Sequence, residues 1–499
     1  MVPYVLRSFR SGISDEDDKG LPGSFKFGYG LDIHSRADVL KAGSAAATIF
    51  DTTTGETGSG STKRGTTLNS HFNVILPASD GSTYMFGATG SIFAMSPDGF
   101  ITNVYNEEEN IIGAGEFGIS SGERFLFWGK STSIARRPLQ GYSGVDPARD
   151  SGQGLWADAT QAWKTEYISS SAVWRTMVNA SGSFMMANNE GLSVLDFDGN
   201  FDPLKLNIRP GNKVNALEER DDYVILGTEK DDDGEEGHLW AWIVTALNFV
   251  QKKRLPAFGV NALITAETPL GQAGDQGEIF PADFENSVPL TAIPGGGKAQ
   301  PHGVTVHEDL ATFGMYGGTY PGLWTLGRRN RNRGNALNYQ YRLSPTVGGS
   351  TVATIGAIAV INGTLLASWG TNETGSSSYG LDAISSTTKA NALFEGLEFD
   401  KGGAWDERMV DTVHATFSPL VSGTSFSIKY KADKESSWRY AVFAGGATTF
   451  SQADETEAIA TLGGKFHILE PGLEINSSGS NTSEIHELAF YLANQQQKT

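Results

Sequence analysis

The sequence predicts an all-β chain: a β-propeller-like repeat domain of six to eight blades, an extended N-terminal arm before it and an antiparallel β-sandwich after it. Three observations carry this. Short apolar strands bounded by Gly, Asp or Asn recur along most of the chain. Glycine is 61 of 499 residues, about 12% against a usual ~7%, and it has no collagen-like period. Segments with a sustained 3.6-residue periodicity are nearly missing.

The elements follow in chain order. Residues 1–43 read as the arm, with an acidic run from Asp15 to Asp18 and then KGLPGSFKFGYGLDIHSR, which is dense in glycine. Residues 51–66, DTTTGETGSGSTKRGT, have the composition of a flexible loop or linker. From about 68 to 398 a strand, a Gly or Asp-Gly turn and a second strand recur, as in 82–105, 123–139, 183–206, 223–244 and 310–329. The second strands resemble one another: GSIFAMS, GLSVLDF, HLWAWIV, GLWTLGR. Copies lie roughly 35–55 residues apart, the spacing of propeller blades. The longest apolar stretch, Ala353–Trp369, is interrupted by Asn362-Gly363. Asn-Gly between apolar runs predicts two strands around a type I′ turn rather than a membrane helix. Gly402-Gly403 marks the second boundary, so the propeller-like domain is placed at 44–403. Residues 404–499 alternate apolar and polar, the pattern of a half-buried antiparallel sandwich.

Composition excludes several classes. Absence of cysteine removes disulfides, Cys-type zinc sites and thiol nucleophiles. Lys and Arg number 38 against 57 Asp and Glu, a net charge of −19, which argues against a protein built to grip phosphates. Residues 1–20 have no apolar core of a signal peptide, so a soluble chain without a membrane anchor is expected.

Each candidate chemical motif has a plainer reading. Gly129-Lys130-Ser131 ends like a phosphate-binding loop, but RFLFW before it is a strand. Gly295-Gly296-Gly297-Lys298 is followed by Ala299 instead of Ser or Thr. Asp196, Asp198, Asn200 and Asp202 space oxygen-bearing side chains two apart, an arrangement that suits Ca²⁺; a solvated Asp-Gly turn is the favoured reading. Asp231, Asp232, Asp233, Glu235 and Glu236 form a denser acidic loop, read as a solvated tip. Arg328, Arg329, Arg331 and Arg333 are the one concentrated basic patch, and subunit contact or a solvated loop is preferred to DNA binding. His302 and His307 with Glu308 and Asp309 are the tightest histidine group and read as structural. Lys431–Trp438, KADKESSW, resembles the Asp-box turn of sialidase-like propellers, with Asp433 and Trp438 in place and Glu435 where that motif has Gly. No cofactor is called for apart from that Ca²⁺ alternative.

Two stretches carry a family resemblance. FRSGISDEDDKGLPGSFKFGYGLDIHSRADVLKAGS (9–44) resembles the start of bacteriophage tail and neck structural proteins, in which an F-x-x-G arm precedes G-S-F-x-x-G-x-G-L-D-I. AWDERMVDTVHATFSPLVSGTSFSIKYKADKESSWRYAVF (404–443) resembles their C-terminal β-sandwich, where F-x-P-L-x-x-G-T-S leads through a strand pair to a Trp-bearing strand. The resemblance implies a virion component without enzymatic activity, released by lysis. It would form a ring of its own copies in a tail nozzle, neck or tail tip, beside other phage proteins and around DNA that passes without specific binding. A net-acidic wall would repel that DNA. The alternatives are a receptor- or glycan-binding tail protein, with Trp438 and Tyr440 as stacking residues and at least one of them in the core, and a propeller carbohydrate-active enzyme.

Overall fold

A computed structural model describes the chain except for residues 1–3, 10, 15–22, 37, 53–66, 108, 121, 140–163, 209–210, 221–222, 231–235, 244, 247–248, 329–334, 373–376, 400–407 and 494–499. The chain forms two compact units. One comprises residues 48–322 and 343–383, the other 1–47, 323–342 and 384–499.

The first unit is a β-propeller. Blade 1 is the meander Phe72–Pro77, Thr83–Gly87, Ser91–Met95 and Ile101–Asn106. Blade 2 is Gly113–Gly118, Arg124–Gly129, Ser133–Leu139 and Thr165–Ile168, and blade 3 is Met177–Ala180, Ser183–Asn188, Gly191–Leu195 and Phe201–Asn207. Blade 4 is Asn212–Arg220, Tyr223–Lys230, Gly237–Trp242 and Gln251–Leu255, and blade 5 is Val260–Thr265, Pro269–Ala273, Glu278–Pro281 and Thr291–Ala292. The sixth position holds the hairpin Val304–His307 with Leu310–Met315. Blade 7 is Val352–Ile361, Thr364–Thr371 and Tyr379–Lys389, completed by Ser44–Asp51 from the beginning of the chain. The first strand of each blade packs on the first strand of the next, and that of blade 7 packs back on that of blade 1, which closes the ring. Seven positions fall inside the expected six to eight.

Packing explains the sequence pattern. Second and third strands such as Thr83–Gly87, Ser91–Met95 and Gly191–Leu195 are buried at every residue, because each blade is covered by a neighbour on both faces. Such strands read as continuous apolar runs instead of alternations. Outer strands such as Gln251–Leu255 and Thr165–Ile168 are largely exposed. Several seams have a core of their own. Trp128, Phe86 and Tyr84 lie between blades 1 and 2, Phe127 and Phe184 between 2 and 3, and Trp240 and Trp242 between 3 and 4. The repeated motifs GSIFAMS, GLSVLDF and HLWAWIV are the third strands of blades 1, 3 and 4. The turn at Asn362-Gly363 has φ of 49° and 78°, both positive as a type I′ turn requires.

The second unit is a β-sandwich. One sheet runs Tyr4–Leu6, Ile485–Ala493, Arg408–Phe417, Glu457–Thr461, Val442–Phe443. In the other, Ala336–Tyr341, Ser24–Tyr29, Ala392–Gly396, Leu469–Asn476, Ser425–Ala432 and Arg439–Tyr440 lie side by side. Phe417, Phe426, Phe443 and Phe450 fill part of the interior, with Phe417 and Phe426 centroids 5.0 Å apart.

This corrects the predicted domain limits. The described parts of residues 1–43 are not a free arm: Tyr4–Leu6 pairs with Leu488–Phe490, and Ser24–Tyr29 is an inner strand of its sheet. Glycine makes that position possible. A Cβ at Gly28 would lie 2.7 Å from the Leu393 carbonyl oxygen. The sandwich also begins before residue 404, since Ala392–Gly396 belongs to it; Gly402-Gly403 lies outside the described residues. Among the described residues the only α-helix is the single turn Ser344–Val347, and no helix is long and apolar enough to cross a membrane.

Candidate functional site

Six of the seven innermost segments of the propeller border one cavity of about 440 Å³ on its axis. Blade 4 supplies Leu217 and Glu218. Leu217 packs into the core between blades 3 and 4, and strand alternation turns Glu218 the other way, to the cavity. Blade 5 supplies Thr265, whose backbone N–H donates to Glu218 Oε1 at 2.8 Å. The Pro301–His302 turn brings in the His302 imidazole, and the turn is tied to blade 7 by Ile358 N–H donating to the His302 carbonyl at 2.9 Å. The remaining side chains of the wall are apolar apart from Thr176 and Thr305, and polar backbone groups share the lining.

The two titratable groups are shifted in opposite senses. Burial raises the Glu218 carboxyl above the usual range, against the bonds from Thr265, and nearby Glu219 adds to the rise. Burial pushes His302 down to about 4, so it is neutral at pH 7. The cavity therefore holds one acid and no positive charge of its own. Sequence reading passed over Glu218, because in NALEERDDY it looks like one charge in a solvated run. Only its place near the end of an inner strand distinguishes it.

The sequence-predicted residues lie elsewhere. Asp196 accepts from both the backbone and side-chain nitrogens of Asn200, and Asp202 is engaged by Leu204 N–H and by Lys205 at 3.9 Å. Asp198-Gly199 is the turn itself, with Gly199 at φ 86°. These oxygens close a turn, and no group of three or more His, Asp or Glu that could hold a metal ion occurs among the described residues. Arg328 follows the strand Gly322–Gly327; Arg329, Arg331 and Arg333 lie outside the described residues, as do Asp231, Asp232, Asp233 and Glu235. Lys130 forms ion pairs with Glu107 and Glu166 at 3.4 and 2.5 Å. The amides of Gly296, Gly297 and Lys298 donate to Ile293, Asp275 and Tyr316 carbonyls, which leaves no anion cradle. Glu308 and Asp309, φ 52° and 66°, are the hairpin tip between His307 and Leu310.

Trp438 and Tyr440 differ from expectation, since neither is core. Trp438 stands just before the strand Arg439–Tyr440, and the two side chains reach Gly472 and Glu474, two residues apart on the neighbouring strand Leu469–Asn476. Trp438 covers Gly472, where a Cβ would meet its ring at 2.9 Å, and the Lys429 and Lys431 ammonium groups sit 4.3 and 4.4 Å from its centroid. Tyr440 is exposed and its hydroxyl donates to Glu474. Asp433 accepts the N–H groups of His467 and Ile468, a turn-holding role.

No protein-family model and no curated protein matches the chain. Solved structures are similar at low identity. The RRP9 WD40 repeats are 12% identical, over 64% of this chain and 95% of that one, with a TM-score of 0.43. The WD40 β-propeller domain of Doa1 is 11% identical over 64% and 93%, with a TM-score of 0.40. The extracellular domain of a putative one-component system from B. thetaiotaomicron is 12% identical over 85% and 48%, with a TM-score of 0.43. The propeller assignment rests on sheet order and on the ring of inner strands, and these likenesses carry nothing about activity or partners.

Proposed function

We propose that the chain is a structural virion protein of a bacteriophage tail, without catalytic activity, which assembles with copies of itself into a ring at a nozzle, neck or tail tip. One observation supports the reading. The two stretches that carry the family resemblance, 9–44 and 404–443, lie far apart in sequence yet build one folding unit. Ser24–Tyr29 from the first and Ser425–Ala432 from the second are strands of the same sheet. A shared ancestral module would require the two to occur together, whereas chance matches would have no reason to meet. Edge strands add a route to assembly. Val442 and Ile459 stand exposed at and beside the edge of one sandwich sheet, where unpaired backbone can accept a strand from a neighbour.

Native mass spectrometry of the purified chain tests this. A closed oligomer of defined copy number is expected, and it should dissociate when Ile459→Lys and Val442→Lys are combined. A strictly monomeric chain at tens-of-micromolar concentration (~10⁻⁵ M, a range in which specific interfaces assemble) would count decisively against it.

A further inference from the structure

Among the described residues Glu218 has no counter-ion in the cavity it faces: none of them contributes a lysine or arginine to the wall, and the basic side chain there, His302, is neutral at pH 7. The Thr265 backbone N–H donates to Glu218 Oε1 at 2.8 Å and the Thr265 side chain adds a second bond, but neither donor carries a charge. Glu218 is half-buried, and partial loss of water disfavours a carboxylate that has no cation, a cost that an ion pair with good hydrogen bonds offsets. The surroundings restrict what that cation can be. A metal ion such as Ca²⁺ needs six or more oxygens, usually from several carboxylates, and no such cluster exists among the described residues. Leu263, Ile264, Val306 and Ile358 contribute aliphatic side chains to the wall among polar backbone groups, and Thr305 lies beside them. A volume of about 440 Å³ is in the range of small-molecule sites.

We propose that the axial cavity binds a compact organic cation, an ammonium on a short alkyl stem, with Glu218 as its counter-ion and the apolar inner strands around the stem. The source of the ammonium is either a free amine or a lysine side chain that a partner inserts along the axis. The chemistry is the same in both cases. This site is independent of the assembly reading, because titration of the cavity and the copy number of the oligomer are separate measurements.

Calorimetric titration at neutral pH decides it, with n-butylammonium against 1-butanol, a neutral molecule of nearly the same shape. The amine should bind at least about tenfold more tightly, the ratio expected for a hydrogen bond to a charged group. Glu218→Gln should abolish that preference and leave butanol binding unchanged. N-acetyl-lysine methylamide separates the sources: affinity equal to or above that of butylammonium indicates a lysine from a partner, and exclusion of it indicates a free amine. Equal binding of amine and alcohol, no binding of either, or an amine preference that survives Glu218→Gln overturns the proposal. If Glu218→Gln does not fold, the amine-to-alcohol ratio of the unmodified chain still decides.

Discussion

At the scale of single residues, Arg175 shows how a charge can be structural. Its side chain is fully buried. The guanidinium donates to the carbonyls of Lys130, Ser131, Ser170 and Ala187 and to Ser169 Oγ, at 2.8–3.3 Å. Burial brings it down to about 10, so it stays charged at neutral pH, balanced by carbonyl dipoles. Two glycines hold the niche open. A Cβ at Gly129 would lie 2.4 Å from Arg175 Cδ, and one at Gly113 would lie 1.7 Å from the Arg175 carbonyl oxygen. Arg175→Met keeps much of the volume but leaves several carbonyls buried and unpaired, at ~1–3 kcal/mol each. A loss on the order of 3–5 kcal/mol is expected in urea unfolding; a loss under ~1 kcal/mol would mean that water replaces the guanidinium. The sequence holds no signal for this role, since VWRTM shows only one arginine among apolar neighbours.

At the scale of elements, ring closure depends on a strand from the other end of the repeat domain. Ser44–Asp51 completes blade 7, and its Phe50 packs edge-on against Phe93 at 5.3 Å and stacks with Phe72 at 6.4 Å. Phe50 belongs to the core between blades 7 and 1, with Leu366 and Leu381. Phe50→Ala should cost ~3–5 kcal/mol, the usual range for a buried aromatic. Hydrogen exchange should show protection falling first in blades 1 and 7 and last in blades 3 and 4, whose seam is remote. Uniform loss across all blades would contradict closure at this seam. Turns and strand identities of the propeller were legible, because each depends on a few adjacent residues: Asn362-Gly363, Asp198-Gly199, and the apolar third strands. Closure was not legible, since SAAATIFD reads equally well as the end of an arm.

For the whole molecule, buried histidines set the response to acid. His302 and His238 are both held down to about 4 by burial; at His238, Lys252 adds to the shift, and Glu236 at 3.7 Å opposes it without offsetting the loss of water. The unfolded chain takes up these protons near pH 6.5 and the folded chain only near 4. Between those values the unfolded state binds more protons, so stability rises with pH and is lost as pH falls through the window. The melting temperature of the unmodified chain should drop from pH 6.5 to pH 4 by more than that of His302→Asn. Parallel profiles for the two would show that His302 does not titrate in this way. Carboxylates also titrate near the lower end, and they contribute equally to both proteins, so the difference isolates the imidazole.

The sequence by itself determined the class of secondary structure, the repeated strand-turn-strand rhythm, the Asn-Gly hairpin and the lack of thiol chemistry. These follow from local rules: β-branched and aromatic strand formers, glycine and Asn at positive φ, and the residue inventory. Tertiary structure alone decided that the first strands of the chain pair with the last, that the sandwich draws on three segments, and that Glu218 faces a cavity without a cation. The physical reason is range. A turn is specified by neighbours along the chain. A sheet edge or a cavity wall is assembled from residues hundreds of positions apart, and any alternating strand could pair with many others until packing selects one.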